Sequence, residues 1–306
     1  MCDLLIVGGG PGGVAAGVYA ARKKINAVLV TDTFGGQSLV SNDVQNWIGM
    51  KSVSGFDLAK MLEEHLRAQS GIEIVAGDLV TVVTALSTGG FRAETKSGRA
   101  IETRFLLITT GSRRRKLGVP GEKELEGKGV FYCSTCDAPL MNGKVVAVIG
   151  GGNAGLEGAL DSLPYASKIY ILERGAALKG DVVTQEKLKA NSKVEFILNA
   201  ETLAVLGDAS VTGLRYRDLT NSAEKELKLD GVFVEIGAMP NSDIVKELVE
   251  LNTFGEVVVD HKTQQTSNPG IWAVGDVSDV RYKQNNISAG DAVKAVLNIY
   301  ERVAKG

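Results

Sequence analysis

The residues that most clearly could carry out chemistry are two cysteines, Cys133 and Cys136, which are separated by two residues in the segment YCSTCD. Cysteines at this spacing can close a small disulfide, bind a metal or simply be two buried thiols. The chain contains three cysteines and two histidines, which is too few for the full Cys/His ligand set of a structural zinc site. The spacing therefore favours a redox-active pair, whose reactive form is the thiolate.

Asp137 follows the second cysteine directly and adds a group that can transfer a proton. No basic leader or small-residue cleavage site precedes the first apolar strand, and the chain is poor in cysteine, so we expect a reducing, cytoplasmic environment. In that environment the pair would be catalytic rather than a structural staple. The third cysteine, Cys2, is expected to be a bystander near the start of the first strand.

Size and composition indicate an ordinary globular protein that is large enough for two domains. The chain has 306 residues, of which 44% are hydrophobic and 23% are charged. Its formal net charge of −2 implies no general attraction to nucleic acid or to an anionic membrane. No apolar run approaches the length of a membrane span.

A glycine-rich turn follows the first strand. Residues 4–7 form a short apolar run, residues 8–13 read GGGPGG, and residues 14–22 have the pattern of a helix. This order is the dinucleotide-binding fingerprint in its required context. Gly8 would allow the tight turn, Gly10 the close approach of a pyrophosphate, and Gly13 the packing of helix on strand. Asp32, just after a second strand at 27–30, is placed to bond a ribose hydroxyl.

The same unit occurs again after the cysteines. Residues 145–149 are apolar, residues 150–155 read GGGNAG, and the second strand at 169–172 ends at Glu173. Gly150 precedes Glu173 by 23 positions (173 − 150), and Gly8 precedes Asp32 by 24 (32 − 8). Two such units predict two bound dinucleotides. A carboxylate at residue 173 favours the 2′-hydroxyl of NAD, while the neighbouring Arg174 leaves some use of NADPH open.

Other segments suit a flat ligand or a linker. Gly35 and Gly36 form a second glycine turn, and Asp276 lies at the end of a last strand at 271–274, where ligands collect in open α/β sheets. A following helix, to about residue 300, could stabilise negative charge on a bound ring. The basic run RRRK at 113–116 reads either as a solvated connector or as a docking patch for an acidic partner.

Taken together, these motifs resemble the low-molecular-weight bacterial thioredoxin reductases over the whole chain. The resemblance is closer still to the flavin-carrying C-terminal part of the alkyl hydroperoxide reductase flavoprotein subunit. The matching stretches are GGGPGG (8–13), FGGQ (34–37), NW (46–47), TTGS (109–112), VPGE (119–122), YCSTCDAPL (132–140), GGGNAG (150–155), AVGDV (273–277) and YKQ (282–284).

This resemblance implies an α/β fold of two Rossmann-like dinucleotide-binding domains, the second inserted into the first. Residues 1–113 and 243–306 would bind FAD, and residues 114–242 would bind NAD(H) or NADP(H) and carry the cysteines. Cys136 would be the thiol nearer the flavin, Cys133 the thiol that attacks a partner disulfide, and Asp137 the acid/base. Family members are homodimers and rotate the inserted domain between flavin reduction and dithiol exchange.

The resemblance also carries over cofactor contacts position by position. Those expected for FAD are Gly8, Gly10, Gly13, Asp32, Gly35, Gly36, Gln37, Asn46, Thr110, Gly111, Gly275, Asp276, Lys283 and Gln284. Those expected for NADH, or NADPH, are Gly150, Gly152, Asn153, Gly155, Glu173 and Arg174. No metal is expected.

The implied activity is FAD-dependent reduction of a protein disulfide, with thioredoxin or a glutaredoxin-like protein as partner. The alternative is an NADH-dependent reductase of a separate glutaredoxin-like carrier in a peroxidase system. Ferredoxin-driven reduction is disfavoured by the intact second glycine unit, and a flavin-binding redox sensor is the alternative from another class.

This chain departs from the family pattern in two places. The peroxide-reducing relatives carry thioredoxin-like domains ahead of the flavin part, and because the first strand begins at the first residues, we expect any such domain to be a separate protein. The pairs Asn285-Asn286 and Gly290-Asp291 are more polar than is usual near a flavin, and no pattern in the sequence explains them.

Overall fold

Short apolar strands alternate with helices along the computed structural model, which describes residues 1–41 and 43–304. Among the described residues the strands are β1 (Cys2–Gly9), β2 (Ala27–Phe34), β3 (Ile72–Ala76), β4 (Val80–Ala85), β5 (Phe91–Thr95), β6 (Ala100–Ile108), β7 (Ser112–Arg114), β8 (Val130–Phe131), β9 (Val145–Ile149), β10 (Lys168–Leu172), β11 (Val194–Ile197), β12 (Ala200–Gly207), β13 (Val211–Asp218), β14 (Glu224–Lys228), β15 (Gly231–Val234), β16 (Ala238–Pro240), β17 (Val259–Asp260), β18 (Gln265–Thr266) and β19 (Ile271–Ala273). The α-helices are α1 (Pro11–Arg22), α2 (Gly55–Arg67), α3 (Ser134–Asp137), α4 (Asn153–Ser162), α5 (Val182–Lys189) and α6 (Asn285–Val303).

The chain divides into two compact units. The first comprises Met1–Arg113 together with Met239–Gly306, and the second is the continuous segment Arg114–Ala238, inserted between them in sequence. The two compact units divide after Arg113 and after Ala238, and the domain bounds expected at residues 113 and 242 stay predictions. The α/β fold with two dinucleotide-binding domains, one inserted into the other, is thus confirmed.

The first unit is built on a parallel sheet with strands in the order β19-β6-β1-β2-β3, extended by β17 and β18 and by the β4–β5 hairpin. Alternate residues of β1 pack on opposite faces: Leu4 and Ile6 on the face covered by α1 and α6, Leu5 and Val7 on the other. A strand that is buried on both faces needs a continuous apolar run, which is why the sequence pattern located β1.

The inserted unit repeats this construction on a smaller scale. Its parallel sheet has the order β11-β10-β9-β15-β8, and a three-stranded antiparallel sheet, β12-β13-β14, lies beside it. Val146 and Val148 of β9 face one apolar cluster, and Ala147 and Ile149 face another. One glycine-rich turn therefore follows the carboxyl end of a central strand in each parallel sheet, β1 in the first unit and β9 in the inserted unit.

Several predicted elements differ in their limits. The second strand, expected at 27–30, continues to Phe34, so Asp32 lies within β2 rather than after it. The last helix, expected to end at about residue 300, runs over Asn285–Val303. Within the described ranges, every helix is too short or too polar to cross a membrane.

Candidate redox and nucleotide-binding sites

The glycine turn of the first unit requires glycine at two of its three fingerprint positions. Gly8 has φ +118°, and a Cβ there would lie 2.5 Å from the carbonyl oxygen of Thr109. A Cβ on Gly13 would overlap the carbonyl oxygen of Gly8, which shows how closely α1 packs on β1. Nothing lies within 4 Å of the Cβ position of Gly10, so the backbone is open there to an approaching group.

The turn of the inserted unit has the same geometry. Gly150 has φ +125°, a Cβ on Gly155 would overlap the carbonyl oxygen of Gly150, and the Cβ position of Gly152 is open. Neither α1 nor α4 has a side-chain cap at its N-terminus. Two open turns that lead into uncapped helices suit the pyrophosphates of two dinucleotides, because helix N-termini attract phosphate.

The buried carboxylate of Glu173 lies beside the second glycine turn. It accepts hydrogen bonds of 2.8 Å from the backbone N–H groups of Gly151 and Gly175, and its Oε1 lies 3.6 Å from Nζ of Lys179. Arg174 instead pairs with Glu201 at 3.0 Å. The negative charge of Glu173 thus lies next to the glycine turn, while Arg174 forms its ion pair with Glu201, away from Glu173.

Strand register shows which residue of the first unit corresponds to Glu173. Val30 pairs with Val7, just before the first turn, and Leu172 pairs with Ile149, just before the second. The residue after each of these pairs is Thr31 in the first unit and Glu173 in the inserted unit. A Cβ placed on Gly9 would meet the side chain of Thr31, and a Cβ placed on Gly151 would meet that of Glu173. Asp32 comes one position later and is exposed, which explains the one-residue difference in spacing between the two motifs.

Two predicted flavin-contacting residues, Gln37 and Asp276, are hydrogen-bonded to each other near the carboxyl edge of the first sheet. The amide nitrogen of Gln37 donates to Asp276 at 3.1 Å and to the hydroxyl of Ser112 at 3.2 Å. Thr110 donates from its hydroxyl to the carbonyl oxygen of Asn241 at 2.8 Å. Positive φ angles occur at four predicted glycines: Gly35 (+91°), Gly36 (+57°), Gly111 (+65°) and Gly275 (+69°).

The polar start of α6, which the sequence left unexplained, joins the helix to the segment that carries Asn46. The amide nitrogen of Asn46 donates to Gln284 at 3.2 Å, and that of Asn286 donates to the carbonyl oxygen of Asn46 at 2.7 Å. Asn286 also accepts from the backbone of Ile48 at 3.3 Å, and Asn285 donates to Ser38 at 2.9 Å. Asn286 therefore holds the backbone of Asn46, a predicted flavin-contacting residue that is itself bonded to Gln284, another one.

Two residues predicted to contact cofactors, Lys283 and Asn153, form hydrogen bonds or ion pairs with other residues of the protein. The Lys283 ammonium lies 2.9 Å from Glu256 and donates to the carbonyl oxygen of Ser278 at 2.6 Å. The side-chain oxygen of Asn153 accepts from the backbone N–H of Asp181 at 2.7 Å. Their contacts with cofactors remain predictions.

The two cysteines form a disulfide, with 5.3 Å between their Cα atoms. Cys133 precedes the short helix α3, and the backbone N–H of Asp137 donates to its carbonyl oxygen at 3.0 Å. Asp137 is 6% exposed. Burial raises the pKa of this carboxyl to about 7, although the positive charge of Arg114 opposes the shift. The group next to the disulfide can therefore both hold and release a proton near neutral pH.

Sequence reasoning missed a second buried acid at the disulfide. Glu235, 8% exposed, follows β15 and accepts a hydrogen bond of 3.2 Å from the backbone N–H of Ser134, the residue next to Cys133. Asp161 of α4 accepts from the hydroxyls of Ser134 and Thr135 at 3.1 and 2.9 Å. An acid at the carboxyl end of a parallel strand was the one available signal for Glu235. In residues 1–41 and 43–304, no cluster of His, Cys, Asp and Glu could hold a metal ion.

Comparison with known proteins agrees with this geometry. Residues 2–292 match the family model described as pyridine nucleotide-disulphide oxidoreductase. The chain is 41% identical over 305 residues to the F subunit of the alkyl hydroperoxide reductase of Pseudomonas putida, covering 99% of this chain and 58% of that protein. It is 40% identical over 299 residues to an NADH dehydrogenase of Bacillus subtilis, again covering 58% of the relative.

Solved structures show the same fold. The thioredoxin reductase of Streptococcus pyogenes superposes with a TM-score of 0.92 at 28% identity, covering 100% of this chain and 99% of that one. The thioredoxin reductase of T. acidophilum is 35% identical with a TM-score of 0.67, covering 99% of both chains. The chain belongs to the pyridine nucleotide-disulphide oxidoreductase family and is an oxidoreductase of the kind that uses a flavin and a pyridine nucleotide.

Proposed function

We propose that this chain reduces a disulfide in a small redox protein, with FAD and a preference for NADH, through the Cys133–Cys136 pair. The observation that carries the proposal is a disulfide next to a buried carboxyl, Asp137, whose pKa of about 7 lets it exchange protons at neutral pH. The flavin would take two electrons from reduced nicotinamide and make them available to the disulfide.

The two turns would divide the cofactors between the units. Gly8, Gly10 and Gly13 would bind the FAD pyrophosphate, with Gln37, Asn46 and Asp276 near the rest of that cofactor. Gly150, Gly152 and Gly155 would bind the pyridine nucleotide, and Glu173 would favour NADH because a carboxylate repels a 2′-phosphate.

Thiol–disulfide exchange conserves atoms and electrons at each step. Reduction of the Cys133–Cys136 disulfide takes two electrons and one proton to leave a thiol and a thiolate, and a second proton gives two thiols. The Cys133 thiolate attacks one sulfur of the partner disulfide, forming a mixed disulfide and releasing a partner thiolate. Cys136 then attacks Cys133, which restores the internal disulfide and releases the second partner sulfur. Asp137 would store and return the proton during this exchange.

A Cys133→Ser substitution tests this assignment. Because Cys136 alone cannot close the internal disulfide, we expect loss of protein-disulfide reduction, while reduction of bound flavin by NADH, followed by anaerobic stopped-flow absorbance, stays intact. Full disulfide reductase activity in this variant would falsify the proposal. Steady turnover of NADH with a disulfide acceptor separates an enzyme from a redox sensor.

One observation favours a particular partner. The chain is 41% identical to the alkyl hydroperoxide reductase protein of P. putida, but 28% and 35% identical to the thioredoxin reductases of S. pyogenes and T. acidophilum. It spans only 58% of the former protein. The second candidate function is therefore NADH-dependent reduction of a separate glutaredoxin-like carrier that serves a peroxidase. Turnover with thioredoxin and with a glutaredoxin-like carrier, measured side by side with NADH, distinguishes the two.

A further inference from the structure

We propose that Glu235 is a positioning residue for the Cys133–Cys136 pair, which holds the turn through the amide of Ser134 and balances the charge of the pair during dithiol exchange. The inference rests on the proposed function, in which this pair exchanges with a partner disulfide. It concerns a residue 99 positions from the nearer cysteine (235 − 136), which no cysteine motif includes.

Geometry places the Glu235 carboxyl at the pair. Its Oε1 accepts the backbone N–H of Ser134 at 3.2 Å, and Ser134 lies between the two cysteines in sequence. A Cβ on Gly158 of α4 would approach both the side chain of Ser134, at 3.2 Å, and that of Glu235, at 3.3 Å. The carboxyl is therefore packed between α4 and the cysteine turn, and it can move little without displacing that turn.

Because Glu235 is buried, the charge of its carboxyl acts strongly on neighbouring groups. Ser134 is 6% exposed, Asp137 is 6% exposed and Glu235 is 8% exposed, so little water screens them. Two negative charges close together in such a place oppose each other strongly. An ionised Glu235 therefore opposes formation of a thiolate on the neighbouring cysteine pair, and a protonated Glu235 does not.

The charged groups around Glu235 are Arg114, on the strand entering the unit, and Asp161 of α4. Burial raises the pKa of Glu235 to about 7, Arg114 lowers it, the N–H of Ser134 lowers it, and Asp161 raises it. The carboxyl is thus poised to change its charge in the range in which dithiols exchange. Asp137, also near neutrality, is the other acid of the same turn.

The proton balance follows from coupled titration. When the pair gains two electrons and holds a thiolate, Glu235 takes up a proton, so that its own negative charge is removed from beside the thiolate. When the thiolate is consumed in a disulfide bond, Glu235 releases that proton. The carboxyl forms no bond to sulfur and acts only through charge and through the Ser134 amide.

Alkylation of the reduced pair tests the proposal. The FAD-loaded enzyme is reduced with excess dithiothreitol, freed of reductant anaerobically and treated with iodoacetamide from pH 5 to pH 9, with labelling of Cys133 followed by mass spectrometry. Glu235→Gln keeps the size of the side chain and an oxygen that can accept from Ser134, but removes the charge. We expect labelling at pH 6.5 to be about 3–10-fold faster in this variant, because a thiol pKa lower by up to one unit raises the thiolate fraction tenfold.

Two further variants make the result specific. Glu157→Gln removes an exposed carboxylate from the same helix, α4, and should leave the labelling profile unchanged. Glu235→Asp keeps the charge but moves it away from Ser134. It should therefore shift the labelling profile less than Glu235→Gln does. It also serves as the second probe if the glutamine variant folds poorly. A purely structural role predicts a wild-type profile for Glu235→Gln.

Superimposable wild-type and Glu235→Gln profiles overturn the inference, as does an equal shift in Glu157→Gln. Neither result bears on disulfide reductase activity, because labelling uses neither nucleotide nor partner. Conversely, if the proposed function is wrong, Cys133→Ser will keep its disulfide reductase activity, and the alkylation profiles will not change.

Discussion

At the scale of single residues, the carboxylate of Glu173 bears most directly on nucleotide choice. It is 8% exposed, accepts the backbone N–H groups of Gly151 in the second glycine turn and of Gly175, and has one cation, Lys179, at 3.6 Å. Arg174, the other cation that could attract a 2′-phosphate, is paired with Glu201. The local balance of charge therefore favours a ribose hydroxyl over a phosphate.

We expect kcat/KM to be higher with NADH than with NADPH, and Glu173→Gln to shift the ratio toward NADPH by about tenfold. A charge-assisted hydrogen bond contributes about 1.5–3 kcal/mol, and ~1.4 kcal/mol corresponds to a factor of ten. Glutamine keeps the length of the side chain and an oxygen that accepts one of the two backbone N–H groups, while it removes the charge. Steady-state kinetics with both nucleotides on both proteins measures the effect.

Glu195→Gln is the matched control for that experiment. This carboxylate lies on β11 of the same sheet, is 51% exposed and pairs with Lys168, so its loss changes the net charge equally. It should leave the nucleotide ratio unaltered. A wild-type enzyme that is faster with NADPH would contradict the assignment and would mean that Lys179 outweighs Glu173.

At the scale of secondary structure, the start of α6 holds the segment around Asn46 in place. Asn286 uses its amide group twice, donating to the carbonyl oxygen of Asn46 and accepting from the N–H of Ile48. Such paired side-chain bonds to backbone hold an irregular segment much as a strand partner would. This arrangement gives the polar helix start a function, which is to position predicted flavin contacts.

Asn286→Ala should therefore weaken FAD binding by up to about 5–150-fold, because two hydrogen bonds of about 0.5–1.5 kcal/mol each are lost. Quenching of flavin fluorescence on reconstitution of the apoprotein measures the dissociation constant. Asn298→Ala is the matched variant: it lies on the same helix and loses a bond from Trp272 but does not touch the segment. Equal losses of FAD affinity in both variants would assign the effect to α6 as a whole rather than to the segment.

At the scale of the whole molecule, the inserted unit contains two buried acids with raised pKa values, Asp137 and Glu235, both near 7. In the folded protein these two carboxyl groups keep their protons up to about pH 7, whereas in the unfolded chain they lose them above their ordinary pKa values of 3.8 and 4.5. The unfolding free energy therefore falls as pH rises from about 4 to about 7, and these groups contribute no further change above that window. Groups with lowered pKa values, such as Asp78, act with the opposite sign at lower pH.

Asp137→Asn should remove its part of this pH dependence from the oxidised protein. Relative to wild type, we expect little difference in unfolding free energy at pH 4 and a gain of up to about 4 kcal/mol at pH 8, the limit for a shift of about three pKa units. Urea unfolding at both pH values measures it. Asp208→Asn, an exposed carboxylate of the same unit, is the control. A gain that is the same at both pH values would show that the effect is not linked to protonation of Asp137.

Some of the candidate site could be predicted from sequence because its requirements are local. Gly8 and Gly150 need positive φ, Gly13 and Gly155 need the absence of a Cβ, and these constraints fall within six consecutive residues. The apolar runs before each turn are equally local, since a strand that is covered on both faces must be apolar throughout. The redox pair followed from the spacing of two cysteines in a chain with few of them.

By itself, then, the sequence determined two dinucleotide-binding units and one cysteine pair, since each is specified by neighbours along the chain. Only the tertiary structure placed Thr31 rather than Asp32 opposite the first turn, because that depends on the register of β2 against β1. It alone brought Glu235 to Ser134, 101 positions apart, and joined Asn286 to Asn46 across 240. Such contacts depend on which strands are adjacent and which helix covers them, and no local pattern of residue types encodes that.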